Sequence, residues 1–138
     1  MIPIKIQCRS ISKGTGEGTA LVSRDPISFL GNVDPETGII VDPDHELYGK
    51  CIKDTVLVFP SGKGSTVGSY VLYQLKKNGF APAAMVNLES EPIVAVGAII
   101  SDIPLVDRPG IDIYETIKDG DFLKVNGIEG YIEITGNI

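Results

Sequence analysis

A compact, barrel-like α/β domain built around one central strand–loop–helix–strand unit is what the sequence predicts, on three observations. An apolar β-branched run, "TVLVFP" (55–60), stops at a proline and passes through a glycine-rich turn into a stretch with helical spacing, after which a second apolar run, "AAMVNL" (83–88), begins. Both ends of the chain carry the alternation and turn residues of paired strands. A length of 138 residues with no internal repeat, low-complexity tract or linker describes a single domain, residues 1–138.

Taken in order, "MIPIKIQCRSI" alternates Ile2, Ile4 and Ile6 with polar neighbours and proline, the period of a half-buried strand. "SKGTGEG" reads as a glycine turn into "TALVS", so residues 1–23 are expected to form a hairpin or a strand pair with a wide loop. "NVDPETG" places Pro35 and Gly38 in turn positions between "ISFL" and "GIIV", which predicts a second strand pair. "TVLVFP" is then the first strand of the central unit. In "STVGSYVLYQLKKNG", Val67, Tyr70, Val71 and Leu75 share one helical face. Ser65 suits the N-cap, Lys76 and Lys77 the last turn, and Gly79 the C′ position.

"AAMVNL" completes a unit normally built with parallel strands. "EPIVAVGAIIS" is apolar nearly all round, fitting a short buried helix opened by Pro92 at N1, with a buried strand as the alternative. This stretch reads as core before it reads as a docking surface. "IPLVD" is a strand, and "DFLKVNGIEGYIEI" gives a hairpin around Asn126-Gly127.

Composition narrows the function. A formal charge of −6 and a pI near 4.7, with scattered basic residues, argue against a general nucleic-acid or anionic-membrane binder. The amino terminus lacks the form of a signal peptide, and no run approaches the roughly 18 apolar residues of a membrane span, so a cytoplasmic location is expected. Cys8 and Cys51 form no C-x-x-C pattern, a disulfide between them has no support, and His45 is the one histidine. The chain therefore lacks the ligands for a zinc site or an iron–sulfur cluster of its own, and no cofactor is expected on it. Asp42, Asp44, His45 and Glu46 lie close together in "DPDHELYGK", where a solvated, side-chain-capped turn explains them better than a metal does. Asp34 and Asp42 read as turn residues, His45 as structural, and Cys51 as core or interface packing.

The chemistry concentrates at "PSGKGSTVG". A glycine-rich loop ahead of a helix lets backbone N–H groups cradle an anion. The Walker pattern fails, because Lys63 precedes Gly64 and no Gly-Lys-Ser/Thr follows. A dinucleotide fingerprint is a closer rival: Gly62, Gly64 and Gly68 follow a strand, and Glu89 ends the next strand where a ribose-binding acid belongs, but the third glycine falls one residue late. A third reading uses Ser65 itself as a base, its hydroxyl near helix N–H dipoles and Lys63. No His–Asp relay accompanies it. A plain capping serine among structural glycines accounts for the same residues.

"GNVDPETGIIVD", "HELYGKCIKDTVLVFPSGKGSTVGSYVL" and "GFAPAAMV" together resemble the small, swivel-domain subunit of the aconitase X family over most of the chain. The resemblance implies an aconitase-type swivel fold and a hydro-lyase that works only with a large subunit, as a heterodimer. Gly64-Ser65-Thr66 matches the place where the family puts its catalytic serine. Ser65 is then the proton acceptor, and Lys63, Gly64 and Thr66 are candidates for binding a small phosphorylated hydroxy acid. An iron–sulfur cluster is implied on the large subunit as the Lewis acid for the departing hydroxyl. The archaeal branch dehydrates 5-phosphomevalonate to trans-anhydromevalonate 5-phosphate on the mevalonate route to isoprenoids, and the bacterial branch includes hydroxyproline dehydratases; the standalone small subunit looks more like the archaeal one. Where aconitases proper follow the serines with a carboxylate-gripping arginine, this chain has Val67, so substrate binding is expected to be shared with the partner. The loops of Asp34 and Asp42 become candidates for that interface.

Overall fold

A run of consecutive apolar residues cannot put every other one in water, so it must be covered on both faces. That is how the centre of the fold is built. In the computed structural model, which describes residues 4–136, β4 (Val56–Phe59) and β5 (Ala84–Asn87) are buried at every position and pair in parallel. Val56 and Val58 of β4 turn to one core, Leu57 and Phe59 to another. The second core lies under α2 (Gly68–Asn78), α3 (Pro92–Ile100) and the short α1 (Phe29–Asn32), which adds Phe29. The first is filled by residues such as Ile6, Val86, Leu123 and Ile132, with Ile113 from α4 (Ile113–Thr116).

The remaining strands are β1 (Ile4–Gln7), β2 (Arg9–Ser12), β3 (Thr15–Val22), β6 (Leu105–Asp107), β7 (Phe122–Asn126) and β8 (Tyr131–Gly136). They form one eight-stranded sheet in the order β1-β8-β7-β3-β4-β5-β6-β2. β3, β4, β5 and β6 are mutually parallel, and the rest join antiparallel. β1 and β2 stand at opposite ends of that order, yet Cys8 alone separates them in sequence. Two Cα steps span about 7 Å at most. The sheet therefore curls until its edges meet, which makes it barrel-like and encloses the first core.

Several local expectations change. Residues 4–23 are strands as anticipated, Ile2 and Pro3 lying outside the described residues, but they do not pair with one another: β1 joins β8, β2 joins β6, and β3 joins β7 and β4. Of the three glycines read as a turn, Gly14 precedes β3 while Gly16 and Gly18 lie inside it, where Gly16 crosses the chain at Ala83 so closely that a β-carbon would overlap the Ala83 carbonyl. "ISFL" is not a strand; Phe29–Asn32 form α1, and among the described residues the turn "NVDPETG" is closed by the bridge Val33–Ile40, with Asp34 N–H donating to Ile39 O at 3.0 Å.

The buried face of α2 is Gly68, Val71, Leu72 and Leu75, with Val67 and Tyr70 exposed rather than inward, because α3 covers the Leu72 side. Gly79 ends α2 in the left-handed region with φ of 84°. α3 is opened by Pro92, and Glu91 caps it by accepting from the N–H groups of Ile93 and Val94. It is buried on one side only: Val96, Ile99 and Ile100 are about half exposed. The terminal hairpin forms, but its loop is Gly127 to Gly130, with Asn126 Oδ1 accepting from Ile128 and Glu129 N–H in place of a two-residue turn.

The Gly16–Ala83 crossing predicts that Gly16→Ala lowers unfolding stability by about 1–3 kcal/mol through overpacking against backbone that cannot rotate away. Urea denaturation measures it; an unchanged midpoint would mean that the two chains can separate at that point.

Candidate functional site

Parallel strands leave their carboxyl ends on one side of the sheet, where connecting loops can converge on a ligand. Here the segments after β3, β4, β5 and β6 share that rim. The glycine loop after β4 is tied down on both flanks. On one side Ile27 bridges Gly62, with Ile27 N–H donating to Ser61 O at 3.1 Å and Lys63 N–H to Ile27 O at 3.1 Å. On the other, Leu88 and Glu89 donate N–H groups to Pro60 O at 3.0 and 3.3 Å. Between these fixed flanks, residues 63–67 are exposed.

Ser65 does not cap α2 itself, which starts at Gly68. Its side-chain oxygen instead accepts from Val67 N–H at 3.2 Å and its carbonyl from Gly68 N–H at 2.9 Å, so it caps the tight turn that leads into the helix. The hydroxyl hydrogen remains available to solvent. Gly64 holds φ at +89°, a conformation that brings the turn round to present Ser65 and that a side chain would resist by about 1–2 kcal/mol. Thr66 is exposed with its carbonyl accepting from Ser69, and Lys63 is exposed with no ion pair among the described residues. The four candidates of the sequence, Lys63, Gly64, Ser65 and Thr66, thus form one accessible loop.

The neighbouring candidates resolve into structure. His45 is buried, its Nδ1 accepting from Leu47 N–H at 3.0 Å, which leaves the proton on Nε2 to donate to Pro26 O at 3.0 Å. Both nitrogens are occupied, so His45 anchors the segment that bridges the glycine loop and cannot serve Ser65. Asp42 accepts from Asp44 N–H and from Asn32 Nδ2, and Asp34 accepts from Glu36 N–H and Thr37 Oγ1. Glu46 accepts from Arg24 N–H. Among the described residues no group of three His, Cys, Asp or Glu is placed to hold a metal ion. No described helix is long and apolar enough to cross a membrane.

Two groups went unread in the sequence because their members are far apart in it. Arg9 donates to both oxygens of Asp107 at 2.8 Å, and Ser90 N–H adds a third bond at 2.7 Å. Burial works against ionisation of Asp107, but the Arg9 guanidinium and Ser90 N–H outweigh it and hold the carboxyl below its ordinary range. Glu89, the acid of the dinucleotide reading, is gripped by Arg108 at 2.9 and 3.0 Å, so it is not a free ribose acceptor. Arg108 itself sits at φ of 49°. The other group joins Ser28 and Asn32 to the glycine loop.

The cysteines differ sharply. Burial first, and Asp107 second, push the Cys8 thiol up to about 12, whereas Cys51 is exposed rather than in the core. One iodoacetamide adduct, at Cys51, is expected on native protein near neutral pH, with Cys8 labelled only after unfolding; peptide mass spectrometry distinguishes them. For Asp107 the folded value lies below the ordinary 3.8, so its contribution is present above that value and lost as pH falls through the lower folded one. The stability gap between wild type and Asp107→Asn, measured in urea, should therefore shrink on acidification from about pH 6 towards pH 3, and a constant gap would contradict the assignment.

A family model described as the aconitase X swivel domain matches residues 5–134. A protein of Methanosarcina acetivorans named phosphomevalonate dehydratase small subunit is 68% identical over 134 residues, 97% of this chain and 93% of its own. One of the same name from Pyrococcus abyssi is 50% identical over 133 residues, covering 96% of this chain and all of its own. The crystal structure of Thermococcus kodakaraensis aconitase X in its holo-form superimposes with a TM-score of 0.89 at 53% identity, over 95% of this chain and 98% of that one.

Proposed function

The chain belongs to the aconitase X swivel-domain family, and from that membership we propose that it is the small subunit of a hydro-lyase that dehydrates 5-phosphomevalonate to trans-anhydromevalonate 5-phosphate, with Ser65 as proton acceptor. The observation that carries the reading is the state of Ser65: exposed, held between fixed flanks, and hydrogen-bonded to no other acid–base side chain among the described residues. The relatives' names supply the substrate.

In the dehydration, the Ser65 alkoxide takes a proton from carbon, the electron pair becomes the C=C bond as the neighbouring C–O bond breaks, and the departing hydroxide becomes water with the proton that Ser65 gives up when its alkoxide is regenerated. A serine is a weak acid, so its alkoxide must be stabilised where it forms. Val67 N–H already points at Oγ, and the positive end of the eleven-residue α2 lies just beyond. Gly64 and Thr66 offer backbone N–H groups to an anion, and Lys63 offers a cation at the loop's edge. The leaving hydroxyl needs a Lewis acid. Cys8 and Cys51 belong to no group of three potential ligands among the described residues, which does not fit a cluster, and the Lewis acid is assigned to a large subunit.

The surface around the loop suits closure against such a partner. Leu30, Val41, Val67 and Tyr70 are each about half exposed; Leu30 N lies close to Gly68, and Val41 N–H donates to Asn32 O. Water-facing apolar side chains around a reactive hydroxyl are costly in a free subunit and useful at an interface that must exclude water.

The test is anaerobic turnover of 5-phosphomevalonate by this chain reconstituted with its large subunit. Ser65→Ala should reduce kcat by at least about 100-fold with substrate affinity kept, the usual loss of a general base. Unchanged turnover would return Ser65 to a capping role, and turnover of hydroxyproline in its place would reassign the substrate. Val67→Glu, which places a charge in the apolar surround, should weaken subunit association at least about tenfold while the melting temperature of the isolated chain stays constant. Calorimetric titration of the two subunits reads that directly.

A further inference from the structure

Beside the glycine loop lies a second hydroxyl whose use the fold does not explain. Ser28 precedes α1 at the N-cap position, with φ −96° and ψ 104°, where a serine side chain ordinarily accepts from an N–H of the first turn. Here it makes no such bond. Asn32 binds the backbone of Ser28 on both sides instead: Ser28 N–H donates to Asn32 Oδ1 at 2.8 Å, and Asn32 N–H donates to Ser28 O at 2.7 Å. Asn32 is buried and every polar atom it has is engaged, its Nδ2 donating to Asp42 at 2.8 Å and its carbonyl accepting from Val41 N–H at 2.8 Å. The Ser28 backbone is thereby locked, while its hydroxyl has no hydrogen-bond partner among the described residues.

That hydroxyl faces the loop that carries Ser65. The Ile27–Gly62 bridge sets the two segments side by side, and a β-carbon built on Gly64 would lie 2.6 Å from Ser28 Oγ. The pair is complementary: the residue at position 64 has no side chain, and the space it leaves is occupied by a hydroxyl from the adjoining segment. The backbone of Ser28 is fixed and its half-buried hydroxyl is bonded to no other group of the described residues, so a ligand that takes it displaces only water. We propose that Ser28 is a substrate-binding residue of the Ser65 site, its hydroxyl donating a hydrogen bond to an anionic oxygen of the substrate, carboxylate or phosphate. Asn32 and Asp42 are the positioning residues that aim it. The assignment rests on the dehydratase reading above.

A contact made equally to bound substrate and transition state changes KM and leaves kcat nearly alone. In the reconstituted complex, Ser28→Ala should raise the KM for 5-phosphomevalonate about tenfold, the loss of one hydrogen bond to a charged group, with kcat within about threefold. Ser28→Thr, which keeps the hydroxyl, should restore most of the affinity, and melting temperatures of both variants check that the fold is intact. Inhibition constants for mevalonate, which has the carboxylate without the phosphate, and for inorganic phosphate then tell which anion is held: whichever inhibitor Ser28→Ala weakens names the group. An active wild-type complex whose KM is unmoved by Ser28→Ala overturns this assignment alone. A wild-type complex that does not dehydrate 5-phosphomevalonate overturns the dehydratase reading, and this assignment with it.

Discussion

The single-residue link at Cys8 is the constraint on which the rest of the fold depends. Because β1 and β2 cannot separate, the strands at the two ends of the order are forced together and the sheet has to curl. Curling divides the apolar residues into an enclosed core and an outer one, and leaves the outer face of the parallel strands for α2 and α3 to cover. Gly16 is part of the same solution, since it lets β3 pass close against the chain at Ala83. Cys8 is itself tied down, its N–H donating to Gly130 O at 2.8 Å, and the Arg9–Asp107 pair next to it fastens β2 to β6.

At the rim of the parallel strands the fold treats backbone and side chains differently. The backbone of the glycine loop is tied to the segments after β3 and β5, and the segment after β3 is tied in turn by His45, Asn32 and Asp42. The side chains of Lys63, Ser65 and Ser28 are left without ion pairs or acceptors of their own among the described residues. A rigid frame with uncommitted polar groups loses little entropy when a ligand arrives, which is what preorganisation means in energetic terms.

How much of this could be read beforehand depended on whether the determining contact was local. The central strand–loop–helix–strand unit was legible, because apolar runs, helical spacing and Gly79 act within a few residues. So was the loop of Lys63 to Thr66, which is contiguous. The pairing of β1 with β8 and β2 with β6 was not, since hairpin signals favour neighbours and nothing in "MIPIKIQCRSI" names a partner more than a hundred residues away. Helical spacing alone places Val67 and Tyr70 on the inward face of α2, but spacing fits more than one face, and the position of α3 chooses the other. Ser28 is illegible for a related reason: in sequence it is an ordinary serine before a turn, and its meaning comes from Gly64, which lies opposite it only after folding. The aconitase X likeness was carried by the local, contiguous part of the chain and extends to nearly all of it.

The pairing of β1 with β8 also orders events in time. Ile4 lies opposite Ile134 and Ile6 opposite Ile132, so the amino-terminal strand has no partner until residues near 134 exist. During synthesis the parallel centre can assemble from β3, β4 and β5 while β1 waits unpaired, an exposed edge of Ile4 and Ile6. Closure of the barrel is then a late, long-range step, slow for the reason that loop closure over most of a chain is slow. A nascent chain of this protein therefore carries β1 as an unpaired edge until β8 has left the ribosome.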